Sequence, residues 1–206
     1  MATGVLPAGG RDRHDLHSAP LRSQRKLFAI GYRVTDGSLD AGRYDLLASE
    51  ARLASFVAIA KGDVPVSHWF RLGRALTPVE LDSVLVSWSG PMFEYLMPAL
   101  VMRAPAGSLL EQTSRLVVGR QIGYGAERGV PWGVSESGYN ARDLEMTYQY
   151  SNFGVPGLGL RRGLSEDVVI APYATGSLVG QLAMIGRPER EGGLGGPLGA
   201  PHVVRP

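Results

Sequence analysis

The chain has 206 residues, 44% apolar and 19% charged, with a formal net charge of +2. That size admits one domain with a hydrophobic core, and that composition excludes a disordered or supercharged polymer. The pI is near 9.0, but Lys and Arg are interspersed with Asp and Glu, which argues against nucleic acid as a partner, and the absence of cysteine removes disulfides and thiolate chemistry.

Residues 1–26 carry Gly-Gly, Arg-Asp-Arg and Ser-Ala-Pro without periodicity and read as a mobile leader. The run from Tyr44 to Ala60 places Leu46, Leu47, Leu53, Ala54, Val57 and Ile59 at helical spacing, and Lys61-Gly62 ends it. The two prolines and two aromatics of residues 63–80 read as a structured loop. A second helix is expected from Gly90 or Met92 to Met102, interrupted at Pro98. A third runs from Ser108 to Arg128, where Ser108 and Glu111 form a capping box and Gly129 with Pro131 stops it. Its glycines at 119, 123 and 125 predict close packing against a neighbour. Residues 132–164 read as long loops with short extended pieces, 167–182 as a further apolar run, and 184–206 as a Gly/Pro-rich disordered tail.

No run reaches the roughly 18 apolar residues of a membrane span, so no membrane contact is expected of this segment. The four histidines are too dispersed to offer ligand spacing, so no metal is expected. The string Gly154-Val155-Pro156-Gly157-Leu158-Gly159 follows no strand as a nucleotide-binding GxGxxG would, and no GxSxG elbow is present, so neither a cofactor nor a serine hydrolase is indicated.

Three carboxylates need an explanation. Glu50 has leucines and alanine at helical spacing around it, so its charge must be paired, raised in pKa or functional; an ion pair with Arg52 or another arginine is the plainer account. Glu94 lies among Met92, Phe93, Tyr95, Leu96 and Met97, where backbone amides or a tyrosine hydroxyl could satisfy it. Glu136 lies in Pro131-Trp132-Gly133-Val134-Ser135-Glu136-Ser137-Gly138-Tyr139. It is either a solvated loop carboxylate or, between Trp132 and Tyr139, part of a sugar-binding surface.

Taken in order, LFAIGYRVTDGSLDAGRYDLLASEARLASFVAIAKGDVPVSHWFRLGR, LVSWSGPMFEYLMPALVM, GVPWGVSESGYNARD, TYQYSNFGVPGLGLRRGL and VVIAPYAT resemble the glucoamylase-like, cyclising region of bacterial cyclic β-1,2-glucan synthases, over Leu27 to Thr175. The resemblance implies a mainly α fold, a partial (α/α)6 barrel over 27–183 that is incomplete at its C-terminus. It implies a β-1,2-glucan oligosaccharide as partner, and a cytoplasmic setting as the soluble region of an inner-membrane synthase. The implied activity is ring closure by transglycosylation with retention, from two carboxylates.

The motif matches carry the catalytic pair onto Glu50 and Glu136. Glu136 is expected as nucleophile, kept ionised by Ser135, Ser137 and backbone amides, and Glu50 as acid/base in apolar surroundings. Trp88, Glu94, Tyr95, Trp132 and Tyr139 are expected to bind substrate, with Asp45 and Tyr150. Residues 1–26 match nothing in the family, Val79 to Ser83 replaces a more glycine-rich turn, and the expected helices are absent after Gly176. The tail then reads as a frameshift product, and the isolated chain as inactive in cyclisation. The alternatives are an endo-β-1,2-glucanase, in which water is the acceptor, and a catalytically dead helical remnant with weak sugar binding.

Overall fold

The computed structural model describes residues 26–176. The leader up to residue 25, the end of the apolar run at 177–182 and the tail lie outside the described residues. In chain order the elements are β1 (Tyr32–Arg33), β2 (Ser38–Leu39), α1 (Arg52–Ala60), β3 (Leu76–Val79), β4 (Asp82–Leu85), α2 (Met92–Leu96), α3 (Leu109–Arg128), β5 (Ser137–Arg142) and β6 (Tyr148–Ser151). Short 3-10 turns occupy Val66–Arg71 and Met97–Leu100. Consecutive strands pair as three two-stranded antiparallel sheets among the described residues.

This overturns the expected mainly α, partial (α/α)6 barrel. A helical toroid needs successive long helix pairs, whereas the helices here are short, apart from α3, and alternate with hairpins. The stretch read as an aromatic loop, 63–80, ends in β3, which pairs with β4 beyond it, Thr77 opposite Val84 and Val79 opposite Asp82. The turn between them places Glu80 at φ 55 and projects Leu81 wholly into solvent. Leu46, expected in the first helix, instead forms a parallel bridge to Gly73, and α1 begins only at Arg52. The face of α1 that is buried carries Arg52 and Ser55, while Phe56 and Val57 are exposed, so the expected apolar stripe does not face the core.

The third helix matches its sequence signals. Ser108 adopts an extended conformation and its Oγ accepts from the Glu111 amide at 3.3 Å, while Gly129 closes the other end at φ 66. Of its glycines, Gly125 alone shows the expected close approach, since a Cβ there would meet Trp132 N and Val130 O at 3.0 Å; Gly119 faces open space.

Pro98 explains the brevity of α2. Proline has no N–H to give to the carbonyl of Glu94, and the helix tightens into a 3-10 turn from Met97. The Arg52 guanidinium takes up the freed carbonyls, with Nη1 on Glu94 O at 3.2 Å and Nη2 on Tyr95 O at 2.9 Å. Tyr95, Leu85, Met92, Val117, Val134 and Leu158 form the centre of the core around this junction.

The glycine string at 154–159 holds the loop before α2. A Cβ on Gly154 would stand 1.7 Å from Ser89 O, and one on Gly159 would stand 2.5 Å from the Ser89 carbonyl carbon. That contact lets Ser87 N bond Leu158 O at 3.0 Å, Arg161 N bond Trp88 O at 2.8 Å and Val155 N bond Gly90 O at 3.1 Å. These glycines serve backbone packing, and the packing places Trp88.

Candidate active site

A cavity of about 540 Å³ opens between the 41–50 segment, the loop before α2 and the base of the β5/β6 hairpin. Glu50, Glu94 and Glu136 all line it, with Asp45, Trp88 and Asn152. Trp88 is 56% exposed, so its ring is an apolar wall beside the three glutamates.

Glu94 reaches the cavity from α2 and is nearly buried. Its Oε2 accepts from the Trp88 amide at 2.9 Å and its Oε1 from Ser89 Oγ at 2.7 Å, with the Ser89 amide at 3.3 Å from both. Burial pushes its pKa up, the Ser89 and Ser87 hydrogen bonds pull it down, and the charge of Glu50 adds to the rise. Amides satisfy this carboxylate, as the plainer account supposed, and through them it fixes the backbone that carries Trp88.

Glu136 is half-buried and held at two points. Tyr150 donates its hydroxyl to Oε2 at 2.8 Å, and Tyr173 donates to the Glu136 carbonyl at 2.7 Å. Burial raises the Glu136 pKa, the Tyr150 bond opposes that, and the charge of Glu50 raises it further. The serines do not hold the carboxylate as expected. Ser135 Oγ accepts from the Phe93 amide at 3.1 Å and lies 2.9 Å from the Tyr173 hydroxyl, while Ser137 Oγ donates to Gly138 O. Gln121, fully buried on α3, bonds both backbone groups of Val134 at 2.9 and 3.0 Å and anchors the strand leading into Glu136.

Glu50 precedes α1 rather than lying within it, and Ser49 Oγ donates to its Oε2 at 3.2 Å. The premise of an apolar helical setting is therefore replaced by a polar one. The Arg52 guanidinium does not form the supposed ion pair with it. It is committed to main-chain carbonyls, those of Leu47 and Ser49 as well as those of α2. Burial lowers the Arg52 pKa to about 10, opposed by the charge of Glu50.

Four expected substrate-binding residues do not line this cavity: Tyr150, which reaches it only through its bond to Glu136, and Tyr95, Tyr139 and Trp132. Tyr95 is 1% exposed and its hydroxyl is engaged by the carbonyls of Leu85 and Leu158, both at 2.8 Å. Tyr139 packs edge-on against Phe153 at 5.1 Å. Trp132 packs against the core beside Gly125. Asn152, Gln121 and Tyr173 escaped the sequence reading, because a lone amide or phenol carries no spacing signal.

A sequence-family model described as "Putative glucoamylase" matches residues 43–182. The chain is also 60% identical over 154 residues to the cyclic beta-(1,2)-glucan synthase NdvB of Rhizobium meliloti (strain 1021), a match covering 75% of this chain. It spans about 5% of the length of that relative.

Proposed function

This chain belongs to the putative glucoamylase family, and from that premise we propose that its cavity binds β-1,2-linked glucan and that Glu136 and Glu50 act together on the glycosidic bond. The observation that carries the proposal is the convergence of three glutamates on one cavity walled by an exposed indole. Indole faces stack on the hydrogen-bearing faces of sugar rings, and paired carboxylates are the machinery of glycosidic chemistry. The named relative is a glucan synthase.

Glu136 is the proposed nucleophile. With Oε2 engaged by Tyr150, Oε1 is left to attack the anomeric carbon. A carboxylate whose ionised form is poorly solvated is the more reactive for it. Glu50 faces the same cavity, and its like charge is one of the causes that raise the Glu136 pKa.

In the first step the C1–O bond breaks, the leaving glucan oxygen takes a proton from Glu50, and an ester forms on Glu136. In the second, a hydroxyl at the other end of the same glucan gives its proton to Glu50 and displaces Glu136, which closes the ring with net retention. If water displaces Glu136 instead, the product is a shortened linear chain.

Cyclisation requires two chain ends to be held together, and this cavity offers one exposed aromatic wall. The 206-residue chain alone is therefore expected to bind glucan without cyclising it. Among the described residues no helix is long and apolar enough to cross a membrane. We assign the segment to the cytoplasmic side of a membrane-bound synthase.

Titrating the 206-residue chain with linear β-1,2-glucan tests the site, with amide shifts expected around Trp88, Glu136 and Asn152. Trp88→Ala should weaken binding at least about tenfold, the loss of one stacking face. Shifts confined to the far side of the molecule would overturn the assignment.

A further inference from the structure

Glu136 lies one residue before β5, whose partner β6 returns antiparallel with Gly138 opposite Tyr150 and Ser137 opposite Ser151. Extending that register places Glu136 opposite Asn152, and both line the cavity. Side chains two apart on a strand share a face, so Glu136, Gly138, Tyr150 and Asn152 lie on one side of the hairpin. Tyr150 and Glu136 are then diagonal neighbours, a separation that a phenol can span. Between them stands Gly138, which has no side chain, and the Tyr150 hydroxyl reaches Glu136 Oε2 at 2.8 Å.

We propose that Tyr150 is a positioning residue for Glu136, orienting its carboxylate and stabilising its charged form, rather than a surface on which sugar stacks. The inference rests on the assignment of Glu136 as nucleophile. A hydrogen bond to a carboxylate is stronger than one to an ester carbonyl. Tyr150 therefore favours the free carboxylate over the glycosyl ester and promotes release of the glycosyl group to its acceptor.

The other groups facing Glu136 do not substitute for it. Glu50, Glu94 and Asp45 share the cavity as like charges, the Arg43 guanidinium donates to the carbonyls of Asp40 and Gly42, and the Tyr173 hydroxyl contacts the Glu136 carbonyl and Ser135 Oγ. Desolvation, the bond to Glu136, and the charges of Glu136, Tyr173 and Glu50 all push the Tyr150 pKa upward, so its proton stays available to donate.

The test is carboxyl-carbon NMR of Glu136 in the 206-residue chain as wild type, Tyr150→Phe and Tyr150→Ala, alongside titration with linear β-1,2-glucan. Tyr150 is largely exposed, so neither change removes core packing. The proposal expects the Glu136 midpoint to rise by about one pH unit, and equally, in both variants. Glucan affinity should stay within about twofold of wild type in both. An unchanged midpoint in Tyr150→Phe overturns it, as does affinity kept in Tyr150→Phe but lost in Tyr150→Ala, which would make the ring a stacking surface. A raised midpoint in a chain that binds no glucan would sink the glucan reading and leave the positioning role standing.

Discussion

Arg52 Nη2 donates to the carbonyl of Tyr95 at 2.9 Å, joining the first turn of α1 to the last turn of α2 across 43 residues of sequence. The same guanidinium reaches Glu94 O, Ser49 O and Leu47 O, so one side chain ties the Glu50 segment to the helix that carries Glu94. Arginine suits the task because its planar fork offers five donors and stays charged when buried. Arg52→Met keeps most of the volume but leaves these carbonyls without their donor. It should destabilise the chain by about 3 kcal/mol, with Arg52→Lys intermediate, as read by urea denaturation. A loss below about 0.5 kcal/mol would show that water replaces the guanidinium freely.

Glu94 connects structure to pH. Three donors converge on its two oxygens, and glutamine offers only one acceptor oxygen, so Glu94→Gln should loosen the Trp88 backbone and weaken glucan binding. Its folded pKa lies above the unfolded value, so the folded state holds the proton more tightly. Its contribution is therefore most favourable at or below the unfolded carboxyl pKa and is lost as pH rises through the folded one. Glu136, also raised, acts in the same direction. Denaturation midpoints across that window should fall less steeply with rising pH in Glu94→Gln than in wild type; an unchanged slope would contradict the buried setting of this carboxyl.

The glycines divide into two groups that the structure separates. Gly154→Ala drives a Cβ into Ser89 O and should destabilise by about 3 kcal/mol while displacing Trp88 and weakening glucan binding. Gly119→Ala, in open space on α3, should stabilise by about 1 kcal/mol. Thermal unfolding of both variants checks the pair. Equal effects would mean that the close packing of 154–159 on the Trp88 loop is not as described.

These residues show where sequence reasoning reached and where it stopped. The helix at 109–128 was legible because its signals are local: a serine cap, a glutamate three residues on and a glycine stop. Glu50 and Glu94 were legible as charges among apolar neighbours and Glu136 by the aromatics that bracket it in its loop, and all three line one cavity. The barrel, which the resemblance implied, was not borne out: consecutive strands between the helices pair as three small hairpins, a strand pairing that apolar periodicity alone does not specify. The start of α1 was misplaced for the same reason. Leu46 bridges to Gly73, a contact 27 residues away that no local pattern encodes. Tyr95 and Tyr139 read as sugar-facing because aromatic type is visible in a sequence and orientation is not.

The most direct measurement is product analysis of the Rhizobium meliloti synthase in which the matching segment has been exchanged for residues 43–182 of this chain. Each hybrid is incubated with linear β-1,2-glucan, and the products are digested with an exo-acting β-glucosidase, which spares rings. The account predicts resistant cyclic glucan from the hybrid and none from the 206-residue chain alone. Glu136→Gln and Glu50→Gln should each lower ring formation by at least about a thousandfold while leaving glucan binding in place. Undiminished cyclic product from the Glu136→Gln hybrid would contradict the account, because no other group here is assigned the bond to the anomeric carbon.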